Sequence, residues 1–183
     1  MLITLKPDKL ILVDKVVAKD DSDHLHTLIY AFKSQDNNQR YIVRAEYHRE
    51  DVFGIKFYAK NHEQSEKKYQ LVTNYKHPIR VFITCAIVLP ILKSEFETAS
   101  FGFIGARSII KDAIIEDKRE NVRFKIYTKH IPQLVGDDLF EHFEYPKISS
   151  YLVVNRTCGD IKKRKKAIED VFFKNYPQIH QLT

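Results

Sequence analysis

"KKYQLVTNYKHPIRVFITCAIVLPILKSEF", residues 67–96, joins a short β-forming run, Tyr69 to Thr73, to a long apolar stretch through the polar segment Asn74 to Pro78. Pro78 suits the first position of a helix, where its missing N–H costs no hydrogen bond. From there to Leu92 apolar residues crowd nearly every helical face, which predicts a largely buried helix. Pro90 is expected to kink or loosen that helix about a turn before its end. A strand that turns directly into a helix also brings unpaired N–H groups to a point where a phosphate could meet them.

Upstream of this unit the patterning has period two. Residues 24–34 are rich in β-formers and end in the polar turn SQDNNQ. Residues 40–48 then alternate, with Tyr41, Val43, Ala45 and Tyr47 on one face and Ile42, Arg44, Glu46 and His48 on the other. Residues 52–60 alternate as well, through Phe53, Ile55, Phe57 and Ala59, and 67–74 reads as a further strand. Such alternation marks half-buried antiparallel strands. Downstream, 99–107 is a short apolar strand with two glycines, and 108–120 is ambiguous between loop and helical turn. Residues 121–131 are helical, 140–146 and 149–155 are strands, and 160–176 is an amphipathic helix. Its apolar side holds Ile161, Ile168, Val171, Phe172 and Tyr176. The expected fold is α/β of the α+β type: a central mixed, mostly antiparallel sheet with helices packed on its faces, in one domain over residues 1–183.

Composition narrows the setting. An apolar content of 44% over 183 residues is enough for a sizeable core. The formal charge of +6 favours anionic partners. Two cysteines, Cys85 and Cys158, are too few for a disulfide framework, so a reducing, cytoplasmic location is expected. The N-terminus is broken by Lys6, Asp8, Lys9 and Asp14, unlike a signal peptide, and the apolar run at 79–92 is shorter than a membrane span.

The element order, the unit YQLVTNYKHPIRVFITCAIVLPILK followed by SFGFIGA, and the stretch ENVRFKIYTKHI together resemble the GNAT (Gcn5-related) N-acetyltransferase superfamily. The resemblance covers about residues 24–155. Asn121 and Tyr127 fall near the places of the family's Asn-x-x-Ala-x-x-x-Tyr helix, one residue closer together. It implies a sheet that parts after its fourth strand, with acetyl-CoA in the gap and its pyrophosphate on the N–H groups of the following helix. Val72, Thr73, Lys76, Ile79, Arg80 and Asn121 would then contact the cofactor. Where the family carries Arg/Gln-x-x-Gly-x-Gly/Ala, this chain reads TNYKHPIR, so Lys76 and Arg80 would replace backbone contacts by charge. Tyr127 would be the general acid, since a phenol of pKa ~10 can protonate a thiolate whose conjugate acid lies nearer ~8.5. Glu46 is the candidate base, with His48 and Glu144 as other carriers of that role.

The remaining signals are weaker. His24 and His26 share a strand face without companions at metal spacing, so no metal site is expected. Cys158 precedes a helix, where a thiolate is favoured, but no base is tied to it. Lys162, Lys163, Arg164, Lys165 and Lys166 form an unbroken basic run that would contact phosphates. On a helix five consecutive residues cover most of the circumference, so only some can face one groove. Two functions follow: an acyl-CoA-dependent N-acetyltransferase acting on an amine-bearing, anionic acceptor such as a charged RNA, or a non-catalytic module that binds nucleic acid or protein through its basic surface.

Overall fold

The computed structural model describes residues 6–71, 78–105, 109–110, 113–114 and 119–176. The strands are β1 (Ile11–Val17), β2 (His24–Lys33), β3 (Arg40–His48), β4 (Val52–Ala59), β5 (Ser100–Ile104), β6 (Ile109–Ile110), β7 (Ala113–Ile114), β8 (Phe140–Tyr145) and β9 (Ser150–Asn155). The helices are α1 (Pro78–Ala86), α2 (Val88–Glu95), α3 (Val122–Val135) and α4 (Ile161–Asn175). Seven strands form one sheet in the order β1-β2-β3-β4-β5-β9-β8, while β6 and β7 pair only with each other. Every neighbouring pair in the large sheet is antiparallel except β4 and β5. The fold is therefore α+β around a mostly antiparallel sheet.

The alternation read in β3 sorts the two faces. Val43, Ala45, Phe53, Ile55, Phe101 and Val153 meet α1, α2 and α3 in the larger core. Val52, Leu152 and Val154 face the other way and pack under Ile168, Val171, Phe172 and Tyr176 of the α4 segment. Asn121 starts α3 by accepting a hydrogen bond from the Phe124 N–H at 3.0 Å, and Asp160 starts α4 in the same way from Lys163 N–H at 3.0 Å.

Three expectations need correction. The apolar run after Pro78 is two helices, broken at Ile87. Pro90 has no N–H to give the carbonyl four residues back, and that residue, Ala86, is where α1 stops. The run at 67–74 is not a strand over its described part. Lys68, Gln70 and Leu71 N–H groups bond back to Ser65, Lys67 and Lys67, so the backbone closes in turns and only Leu71 makes an isolated bridge. The strand leading into the βα unit is thus β4, and residues 60–77 intervene. Finally, β1 adds an edge strand that charge at Asp14 and Lys15 concealed; the sheet begins at Ile11 rather than at His24.

Two glycines join the layers. Gly54 of β4 and Gly102 of β5 are register partners across the parallel pair. A Cβ on Gly54 would come 2.2 Å from Tyr176 Oη, and one on Gly102 would come 2.0 Å from Phe172 Cε2. Phe172 and Tyr176 are four apart and so share one face of the α4 segment. The paired glycines form a trough that receives both rings. Gly102→Ala should cost about 1–3 kcal/mol by overpacking. Because the clash is with one ring, the loss in Gly102→Ala/Phe172→Leu should be less than the sum of the single losses. Urea denaturation of the four proteins of that cycle measures this, and strict additivity would refute the trough.

Candidate functional site

The trough leads to a polar network on the α4 face. Glu46 of β3 is the register partner of Gly54, so the missing side chain leaves room for a phenol beside the carboxylate. Tyr176 takes that room and donates its O–H to Glu46 Oε2 at 2.8 Å. Lys56 Nζ lies 2.7 Å from the same oxygen, and Arg44 Nε lies 3.4 Å from Oε1. His48 Nε2 sits 2.7 Å from the Tyr176 oxygen. The Tyr176 hydroxyl has one proton and gives it to the carboxylate, so His48 must donate from Nε2. Its Nδ1 is then a buried acceptor with no hydrogen-bond partner among the described residues. The Lys56 ammonium also faces the rings of Tyr176, at 4.5 Å, and Tyr69, at 5.3 Å.

Electrostatics follow from this packing. Burial pushes the Glu46 carboxyl up, but Lys56, the Tyr176 hydroxyl and Arg44 outweigh it and hold the group below its ordinary range. Glu46 is therefore ionised and a poor proton acceptor near neutrality. Burial brings His48 down to about 4 against the pull of Glu46, so its ring is neutral. Burial and then Glu46 raise the Tyr176 phenol well above its usual value. The network is built to stay in one protonation state, which suits a latch for the α4 segment.

The opposite face holds the other predicted residues. The register of β4 with β5 ends at Ile55 opposite Phe103, whereas β4 continues to Ala59 and Ile104 pairs only with Ser150 of β9. The strands part at that point. Tyr127 is buried there, its ring 5.1 Å from Phe103 and 6.3 Å from Phe82 of α1. Arg123, one turn earlier on α3, donates to the Tyr69 carbonyl and lies over the Phe57 ring at 5.1 Å. Asn121 is fully used as a staple: besides capping α3 it donates from its side-chain amide to the Gly105 carbonyl, and its own N–H reaches Ser149 Oγ at 2.9 Å. Arg80, in the first turn of α1, has Nε 3.0 Å from Asp36 Oδ2, a charge contact without hydrogen-bond alignment. Ile79 is exposed. Val72, Thr73 and Lys76 lie outside the described residues. Tyr127 and Glu46 are on opposite faces of the sheet and do not meet.

The basic run divides as helical geometry requires. Arg164 pairs with Glu50 at 3.1 Å, Lys165 with Glu169 at 3.0 Å and Lys166 with Asp170 at 2.6 Å. Lys162 and Lys163 are exposed and, among the described residues, without an ion pair. A recess of about 50 Å³ lies between α4 and the sheet, bordered by Ile104, Tyr145, Leu152, Glu169 and Phe172. Among the described residues no group of three or more His, Cys, Asp or Glu could hold a metal ion, and no helix is long and apolar enough to cross a membrane. Comparison with protein-family models, with curated proteins and with solved structures gives no match.

Sequence reasoning paired Glu46 with His48 on one strand face but missed Lys56 and Tyr176. The available signal was Gly54 inside an alternating strand, which marks a close approach by another element.

The network predicts acid lability. With His48 near 4 in the folded chain and near 6.5 when unfolded, the unfolded state binds more protons between those values. Stability is complete above about pH 6.5 and should fall by about 3 kcal/mol as pH drops to 4. Glu46 adds a further loss in the same direction at lower pH. Denaturation at pH 7 and pH 4.5 should show His48→Gln flattening this dependence; an unchanged slope would remove His48 as its source.

Proposed function

We propose that the protein is an acyl-CoA-dependent N-acyltransferase of the GNAT type. The observation that carries this reading is the parting of β4 from β5 beyond Ile55 and Phe103, with Tyr127 packed at the point of separation. An acyl thioester fits this end of the site, because parted strands offer backbone edges to an extended chain and the phenol stands beside the place its sulfur would reach. The segment expected to meet the phosphates, with Val72, Thr73 and Lys76, lies outside the described residues. Arg80 would have to leave Asp36 to contribute charge. Bound acyl-CoA supplies the activated acyl group; the chain supplies position and a proton.

In this reading Tyr127 gives its proton to the departing thiolate, and the proton that the attacking amine sheds passes through water to restore the phenol. Asn121 holds the start of α3 against Gly105, and so sets where Tyr127 sits. Glu46 belongs to the latch on the far face, since a carboxylate already neutralised by Lys56 gains little by taking a proton from an amine. The acceptor is an amine attached to an anionic molecule, in keeping with the net charge of +6. The alternative of a basic nucleic-acid-binding surface draws less support, because Arg164, Lys165 and Lys166 are already paired with carboxylates.

Titration with acetyl-CoA should raise the melting temperature in a saturable way. Tyr127→Phe should keep that rise while lowering thiol release with an amine acceptor by about 100-fold or more. No shift with millimolar acetyl-CoA or CoA would end the acyltransferase reading. A shift with an RNA duplex alone, lost in Lys162→Ala/Lys163→Ala, would replace it by the binding module.

A further inference from the structure

Arg123 is the most anomalous charge in the described structure. It is only 7% exposed, yet no carboxylate among the described residues comes within ion-pair distance. A guanidinium carries five N–H donors, and here the Tyr69 carbonyl takes one bond while the Phe57 ring covers a face. Lys56, Arg80 and Arg164 are matched by Glu46, Asp36 and Glu50, and the half-buried Lys68 and Lys93, which have no carboxylate among the described residues, are far less enclosed than Arg123. Arg123 is also in the first turn of α3, where the helix dipole disfavours a cation and favours an anion. A buried charge without a counter-charge is costly, and a bound oxyanion removes that cost.

We propose that Arg123 anchors a site for a small oxyanion, a phosphate or a carboxylate, beside Phe57 where β4 has left β5. The planar fork takes two oxygens of such a group at once, and the Phe57 ring behind it keeps the guanidinium in place. Tyr69 supplies only a carbonyl, which repels an anion, so the Arg123–Tyr69 bond is the contact that gives way on binding. The site does not depend on acyl transfer. It would take the phosphate of a cofactor or the acid group of an acceptor, and the two are separated by which probe binds.

The test uses the full chain with inorganic pyrophosphate and, separately, malonate, read by thermal shift and isothermal calorimetry. The wild-type protein should show a saturable rise of several degrees with one or both anions. Arg123→Met should abolish that rise, and without any anion it should melt no lower than wild type, because an unmatched buried charge has been replaced by an apolar chain. Arg123→Lys, which keeps the charge and loses the fork, should bind about tenfold more weakly. It provides the comparison should Arg123→Met fail to fold. Wild-type protein indifferent to both anions at tens of millimolar would overturn the proposal, as would an undiminished response in Arg123→Lys and Arg123→Met. Pyrophosphate has no acyl group, so its binding and that of acetyl-CoA fail independently.

Discussion

The absence of two side chains holds this molecule together. Gly54 and Gly102 lie side by side at the parallel junction of the sheet, and Phe172 and Tyr176 fill the volume that two methyl groups would otherwise claim. Each buried ring contributes on the order of 2–3 kcal/mol by leaving water. Their seating also carries a phenol from the far end of the chain to a carboxylate 130 residues away. Move the α4 segment outward by one methyl and three things fail together: the second core opens, Glu46 loses a donor, and His48 loses its partner. Packing and electrostatics here share one geometric condition.

The two faces of the sheet do different work. On the α4 side every charge near Gly54 is matched: Glu46 meets Lys56 and Arg44, and its remaining capacity is taken by Tyr176. Its charges are balanced, which leaves His48 Nδ1 as the one polar atom of the network without a partner among the described residues. Across the sheet, where β4 and β5 separate, polar side chains are sparse among the described residues, and Arg123 has no carboxylate among them. Tyr127 and Arg123 project from the same helix into largely apolar surroundings made by Phe57, Phe82 and Phe103. Low polarity strengthens the field of a single guanidinium on anything that enters.

Much of the fold was legible because period-two alternation is a local signal. β2, β3 and β4 announce themselves within nine or ten residues, and α4 does so through its apolar stripe. What failed was also local. Tyr69 to Thr73 has β-forming composition, but the described backbone satisfies itself in turns, and Tyr69 serves as a lid over Lys56 rather than as a rung. β1 escaped notice because Asp14 and Lys15 interrupt its apolar run and because, exposed on both faces, it has no reason to alternate. The break between α1 and α2 was readable in principle, since Pro90 dictates which carbonyl goes unpaired; only the stretch of helix it spares was misjudged. The polar latch was beyond reach, because nothing near Glu46 in sequence mentions Tyr176. A glycine opposite a carboxylate was the single hint.

The free edge of β1 follows a rule of arithmetic. Its residues Ile11, Leu12, Val13, Val16 and Val17 are exposed, and no described strand pairs with its outer row of backbone groups. In an antiparallel pairing of two copies about a two-fold axis, the numbers of facing residues always sum to an even value, because one residue must face its own counterpart. Asp14 and Lys15 sum to an odd one, so these neighbours can never face each other across such a seam. The axis must instead set like against like, or lay each charge on an aliphatic side chain, and both are unfavourable. With the bulge at Val13, the only charged pair in the strand makes it a poor template for itself while leaving it sticky to others. A sheet can thus be left unfinished without inviting its own kind to finish it.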